Sequence, residues 1–225
     1  MDYRWLLRSA VLAPFGVLAL SAISPGCGSD VEAESFECTG DQCEFECSDG
    51  DVACDATCTK GADCDLTCAG PDCELDCQSK SLCEADCTVA GGCDTNCEGQ
   101  STCNVDCSEA GGCDLDCAGG STCDIKCEGD CGGGCTGTSQ CGLTCKEGCD
   151  MGCTGDAICG LTCETNCFVC CNGSADCTLT CSGAETTECM VDDNTRILVC
   201  GRECPDAALC KYGDATEGEP TPQPE

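Results

Sequence analysis

The amino-acid sequence predicts an all-β fold, a disulfide-rich flattened β-solenoid with roughly 18–20 residues and two short strands per coil. Three observations predict it. There are 37 cysteines in 225 residues. From Cys38 to Cys181 a Cys-x-x-x-Cys block recurs about every nine to eleven residues. The connectors between blocks alternate between two kinds, so the true repeat is two blocks, and a repeat of this length marks a stacked architecture.

Taken in chain order, residues 1–26 read as a signal peptide. Arg4 and Arg8 give a positive start, and an apolar stretch over 11–23 follows, too short to span a bilayer comfortably. The stretch ends in Ser24-Pro-Gly-Cys27, which resembles the cleavage box of bacterial lipoproteins, in which the cysteine becomes the lipidated N-terminus. The box departs from that family at Ser24, where Leu is preferred, and at Pro25. The resemblance implies lipidation of Cys27. Gly28 and Ser29 lack the aspartate signal for inner-membrane retention, so it also implies the outer membrane or cell surface. The alternative is cleavage near Ser21 or Ala22, giving a secreted or periplasmic protein. Cysteine parity favours the anchor, because 37 less Cys27 leaves 36, an even number. Residues 27–37 are expected to be the acylated N-terminus and an acidic linker.

The rod is expected over 38–181. In Cys113-Asp-Leu-Asp-Cys117, Cys73-Glu-Leu-Asp-Cys77, Cys103-Asn-Val-Asp-Cys107 and Cys123-Asp-Ile-Lys-Cys127, the cysteines and the middle apolar residue share one strand face and the polar residues the other. One set of blocks starts at Cys43, Cys64, Cys83, Cys103, Cys123, Cys141, Cys159 and Cys177. The other starts at Cys54, Cys73, Cys93, Cys113, Cys131, Cys149 and Cys167. Every connector from the second set to the first has five residues between cysteines, and the return connectors have three to six. One strand per side and two turns close a coil. About seven coils fit, a rod of about 35 Å at about 4.8 Å per coil. An antiparallel β-meander would also alternate its turns but would leave a face of Cys and Leu uncovered.

Bridge geometry restricts the pairing. The ends of an extended Cys-x-x-x-Cys strand lie about 13 Å apart, beyond the reach of about 7 Å between Cα atoms. Cysteines flanking a turn are the natural partners, giving Cys107–Cys113, Cys117–Cys123 and their equivalents. Bridges between stacked coils remain the alternative. The resemblance to disulfide-bridged insect antifreeze solenoids is architectural only, since those use twelve-residue coils.

Past Cys181 the rhythm stops. Residues 182–210 are expected to form a disulfide-bridged cap, with a strand in Thr195-Arg-Ile-Leu-Val-Cys200, and 211–225 a disordered tail.

Composition limits function. The net charge is −33 and aromatics are 3% of residues, so apolar burial cannot by itself offset ordering entropy and covalent bridges must supply the order. The acidity excludes nucleic acid as an electrostatic partner and leaves the membrane as a partner only through a lipid. There is no histidine, phosphate loop or nucleophile elbow, so an enzyme is not expected. Zero histidines and few Cys-x-x-Cys spacings also argue against zinc. The outward carboxylates Glu74, Asp76, Asp94, Asp114 and Asp116 would stack about 5 Å apart. Hard oxygen donors in that array suit weak Ca²⁺ binding; without it the rows are a solvated, repulsive surface. No other cofactor is expected. Thr144, Thr162 and Thr180 align on one face, a row that could order water and is equally explained by β-branched stacking. The lipobox-like segment and the repeat together resemble the cysteine-rich repeat lipoproteins of myxobacteria. The expected function is a non-enzymatic structural or adhesive cell-surface lipoprotein, a rigid acidic rod. The alternative is a calcium-dependent module binding carbohydrate or a cell-surface protein.

Overall fold

The computed structural model describes residues 34–47, 53–70, 72–87, 92–108, 112–191, 194–206 and 210. The expected signal peptide, Cys27 and the expected tail lie outside them. The strands are β1 (Glu34–Thr39), β2 (Gln42–Cys47), β3 (Cys54–Thr59), β4 (Asp63–Cys68), β5 (Cys73–Cys77), β6 (Leu82–Cys87), β7 (Cys93–Cys97), β8 (Thr102–Cys107) and β9 (Asp114–Cys117). They continue as β10 (Thr122–Cys127), β11 (Gly132–Cys135), β12 (Gln140–Thr144), β13 (Asp150–Cys153), β14 (Ile158–Cys163), β15 (Cys167–Asn172), β16 (Asp176–Cys181), β17 (Thr186–Met190) and β18 (Thr195–Cys200).

Odd-numbered strands β1 to β15 stack in one sheet, which ends β15-β18-β17, and even-numbered strands β2 to β16 stack in the other. The two sheets are the two sets of blocks. Successive coils pair in parallel and in register, so Cys103 lies beside Cys123 and Val105 beside Ile125. That parallel pairing excludes the antiparallel meander. The alternation is visible strand by strand: β10 reads exposed, buried three times over.

Inside, a typical coil strand contributes two sulfurs and one small or medium apolar residue. Leu66, Leu143 and Leu161 are fully buried in the even sheet, as is Leu75 in the odd sheet. Phe36 and Phe45 stack at 5.1 Å and close the first coil. Among the described residues eighteen disulfides join 36 cysteines, and those of the rod span turns: Cys107–Cys113 and Cys117–Cys123 are both bridged, with Cα atoms 6.6 and 6.4 Å apart. They hold opposite sheets together where each turn has already brought the strands close.

The five-residue turns are built alike. Their fourth residue is Ala62, Ser81, Ser101, Ser121, Ser139, Ala157 or Ala175, and all are buried. Ser81 and Ser121 donate Oγ–H to the first carbonyl of their own turns, Gln78 O at 2.7 Å and Ala118 O at 2.8 Å. The backbone N–H of Ser101 donates to Ser121 Oγ at 3.2 Å. This second ladder of small residues seals the turn edge. Its backbone is left-handed beside it: Gly119 has φ 68°, and a Cβ there would sit 2.9 Å from the Gly99 nitrogen of the coil below.

One boundary differs from expectation. Strand begins at Glu34, inside the linker expected over 27–37, because Ser35-Phe-Glu-Cys38 continues the alternation and pairs in register with β3. At the other end β18 runs antiparallel to β15 and β17 antiparallel to β18. The cap therefore extends one sheet and does more than cover it. On the outer side of β15, Phe168 and Cys170 pack with Cys189, Ile197 and Val199 in a second small core. Cys170 bridges Cys210 across this core, while its neighbour Cys171 points inward and bridges Cys177. Arg202 lies over the Phe168 ring at 4.8 Å.

Candidate cation-binding face

The outward positions of the odd sheet form two files. In the first, Asp55, Glu74, Asp94 and Asp114 are direct neighbours on successive strands. In the second, Asp76, Asn96 and Asp116 are neighbours. The structure thus brings Glu74, Asp94 and Asp114 into one file and separates Asp76 from Asp116 by an amide. Asn96 Nδ2 donates to Asp76 Oδ1 at 3.0 Å. The motif Cys93-Asp-Thr-Asn-Cys97 already shows this break, and Asn96 belongs in the candidate set.

Repulsion is registered in the carboxyls themselves. Loss of hydration, then the charges of Asp55, Asp76 and Asp94, pushes Glu74 above its ordinary value. Loss of hydration, then Asp114 and Asp72, does the same to Asp94. Asp116 is raised by loss of hydration, then by Asp114 and Asp94. Asp72 was not foreseeable as a contributor; it sits in a turn at φ 57°. Both files end on glycines of β11, Gly132 and Gly134. Asp114 leans into the space above Gly132 that a Cβ would fill.

The even sheet is acidic in its first half but carries its own compensation. Lys126 Nζ lies 3.9 Å from Asp106 Oδ2. The Asp106 carboxyl is held below its ordinary value, first by the side-chain and backbone hydrogen bonds from Ser108 and then by Lys126. An open groove runs between its outward rows, lined by Glu84, Asn104 and Asp124 on one side and by Asp86, Asp106, Lys126 and Thr144 on the other. Further along, Thr144, Thr162 and Thr180 stand side by side and exposed. A second polar hollow lies at the three-residue turns, where Lys146 pairs with Glu128 beside Asp130, Glu147 and Glu164.

Chemically, the odd face offers carboxylate and amide oxygens with no basic side chain in either file, donors that suit a hard cation. The buried sulfurs do not offer a soft-metal site. Cys58, Cys64 and Cys83 have sulfurs within 4.8 Å of one another. They are consumed in the bridges Cys58–Cys64 and Cys77–Cys83, and only a thiolate is a metal ligand.

An acid whose pKa is raised on folding is bound more tightly to its proton in the folded chain. The stability linked to Glu74, Asp94 and Asp116 is therefore full below the unfolded carboxylate range and is lost as pH rises through their raised values. Asp106 has the opposite sign, and its contribution is lost as pH falls through its lowered value. The oxidised protein is expected to melt at a higher temperature near pH 4.5 than at pH 7. Asp116→Asn is expected to stabilise it at pH 7 by up to about 1 kcal/mol, since it removes a charge that burial strips of water and that Asp114 and Asp94 repel. Calorimetric melts of the two proteins at both pH values check this. A variant less stable than its parent at pH 7 would refute the repulsion.

No family model, curated protein or solved structure matches the chain.

Proposed function

We propose that this protein is a non-enzymatic structural element of a bacterial surface, a disulfide-stapled acidic rod anchored in the outer membrane by a lipid on Cys27. The observation that carries the reading is the in-register stack with a bridge at each turn. Such a body resists bending and local opening at every coil, properties a spacer or display stalk uses. The acidic outward files keep neighbouring rods apart. The lipobox-like Ser24-Pro-Gly-Cys27 and the resemblance to repeat lipoproteins of myxobacteria support the anchor.

The test is anchoring and display in a bacterium with an outer membrane. The parent is expected to incorporate labelled palmitate, to partition into detergent and to be labelled on intact cells by an impermeant amine reagent. Cys27→Ala is expected to lose all three while keeping its disulfides. Equal release of both proteins as soluble material would sink the anchor.

A second reading, a calcium-dependent module for a carbohydrate or protein at the cell surface, is favoured by one observation, the raised carboxyls of the odd face. Titration calorimetry of the oxidised protein with Ca²⁺ separates the two. Heat that disappears in Asp94→Asn with Asp116→Asn supports the module, and neither heat nor a change in melting removes it.

A further inference from the structure

The three-residue turns stack so that the sulfurs of successive coils meet. Their bridges are Cys127–Cys131, Cys145–Cys149 and Cys163–Cys167, one per coil. Between coils, Cys127 Sγ lies 3.7 Å from Cys149 Sγ, and Cys145 Sγ lies 3.7 Å from Cys167 Sγ. Each bridge therefore touches the next through one sulfur. Cys127 and Cys145 are the least covered members of the column, keeping 7% and 6% of their surface, whereas Cys131, Cys149 and Cys167 keep none.

From this contact we infer that the three-residue-turn edge is a thiol–disulfide exchange site, in which a pair opened at one coil is handed to its neighbour. The reactant is a small thiol or dithiol arriving from solvent. It reduces Cys145–Cys149 and leaves as its own disulfide, so the two electrons are accounted for. The steps that follow are isomerisations. The Cys149 thiolate attacks Cys127 Sγ, the Cys127–Cys131 bond breaks, a Cys127–Cys149 bond forms, and the electron pair leaves on Cys131 sulfur, which takes up a proton. The Gly129 carbonyl, 3.5 Å from Cys131 Sγ, is placed to accept that S–H. In the other direction the Cys145 thiolate attacks Cys167 Sγ and frees Cys163. The edge that holds the coils closed is thus also a path by which an unpaired thiol travels along the rod. This does not depend on the anchor or on calcium.

The test begins with one unpaired thiol placed by mutation in a Cys27→Ala background. With Cys145→Ser, the remaining Cys149 thiol is expected to be shared with Cys131. After incubation near pH 8.5, where thiolate is available, alkylation and peptide mapping show label on Cys131 and a linked Cys127–Cys149 peptide. With Cys149→Ser the label reaches Cys163, with a Cys145–Cys167 peptide. Label confined to Cys149 in the first variant and to Cys145 in the second overturns the inference. Should either variant fail to fold, the parent is opened with a limiting phosphine near pH 3, where exchange is quenched, and half is then raised to pH 8.5 before labelling. Native pairs at both pH values overturn the inference; Cys127–Cys149 and Cys145–Cys167 peptides appearing only at the higher pH support it.

Discussion

Complete reduction at neutral pH is expected to abolish the β-sheet signal of this protein in far-ultraviolet circular dichroism, leaving an expanded, protease-sensitive chain. The reason lies in what each coil buries. A strand such as β12 or β14 contributes one non-cysteine residue to the interior, Leu143 or Leu161. Some positions contribute less: Ala56, Ala85, Thr95 and Gly133 stand in the same ladders. Thr95 is buried with its hydroxyl unpaired, a cost where Leu75 and Leu115 on either side bring a gain. Parallel pairing between short strands joined only through turns is slow and entropically demanding, and with a net charge of −33 the collapsed chain repels itself. Each short-loop bridge removes conformations from the unfolded chain equivalent to about 2–3 kcal/mol, and that term recurs at every turn. Reduced cysteines would still be small hydrophobes, so a β signal surviving full reduction would mean that packing alone holds the coil. Removing a single bridge is a different matter. Cys117→Ala with Cys123→Ala is expected to cost about 2–3 kcal/mol in a denaturant titration while leaving the spectrum unchanged, because the neighbouring coils still fix both strands.

The same dependence on short-range covalent rhythm explains what could be read in advance. Side-chain alternation in Cys113-Asp-Leu-Asp-Cys117 specifies one buried face. The constant five-residue connector separates the two sheets, and bridge geometry selects turn-flanking pairs over pairs within a strand. The acidic files follow once parallel register is assumed, which is why Glu74, Asp94 and Asp114 stand together. What was hidden depends on neighbours that are remote in sequence. Strand β1 carries only one cysteine, Cys38, so the rhythm that marks every later strand is missing there. Its order comes from pairing with β3 and from the Phe36–Phe45 stack. The Ala/Ser ladder was present as a regular fourth residue in each five-residue turn, yet its burial becomes apparent only when turns stack. The raised carboxyl of Asp116 reflects lost hydration more than counted charges, and hydration is a property of the packed surface. The cap was the least legible part, because Phe168 and Cys170 face outward on a strand whose other outward relatives are polar.

That outward pair makes the cap testable by one substitution. Ile197→Asp is expected to release β18 from β15 and convert the protein from a monodisperse species to one that associates with rising concentration. Ile197 is fully buried and lies opposite Cys170 in the antiparallel pair, with Val199 opposite Phe168. A carboxylate placed there would replace an apolar side chain inside the small core of Phe168, Cys170, Cys189 and Val199, whose Arg202 is engaged over the Phe168 ring. Burying it unpaired costs several kcal/mol, more than one short antiparallel strand recovers. Cys181–Cys200 and Cys170–Cys210 would keep the segment tethered, so the rod itself should stay folded while the backbone edge of β15, Cys167 to Asn172, comes free. An unpaired strand edge beside Val169 and Leu179 is a template for another chain. Hydrogen exchange should therefore accelerate at β15 and β18 and remain slow at β10 and β12, and light scattering should show concentration-dependent growth. Met190→Asp is the matched control, on an edge strand of the same cap but 71% exposed, and should change stability by less than about 0.5 kcal/mol. If Ile197→Asp stayed monodisperse with β15 amides as protected as before, the cap would be an ornament on a solenoid that ends itself. If exchange quickened through every strand at once, the cap would instead be a cooperative part of the rod, and the coils would not be the independent stapled units that their turn-by-turn bridges imply.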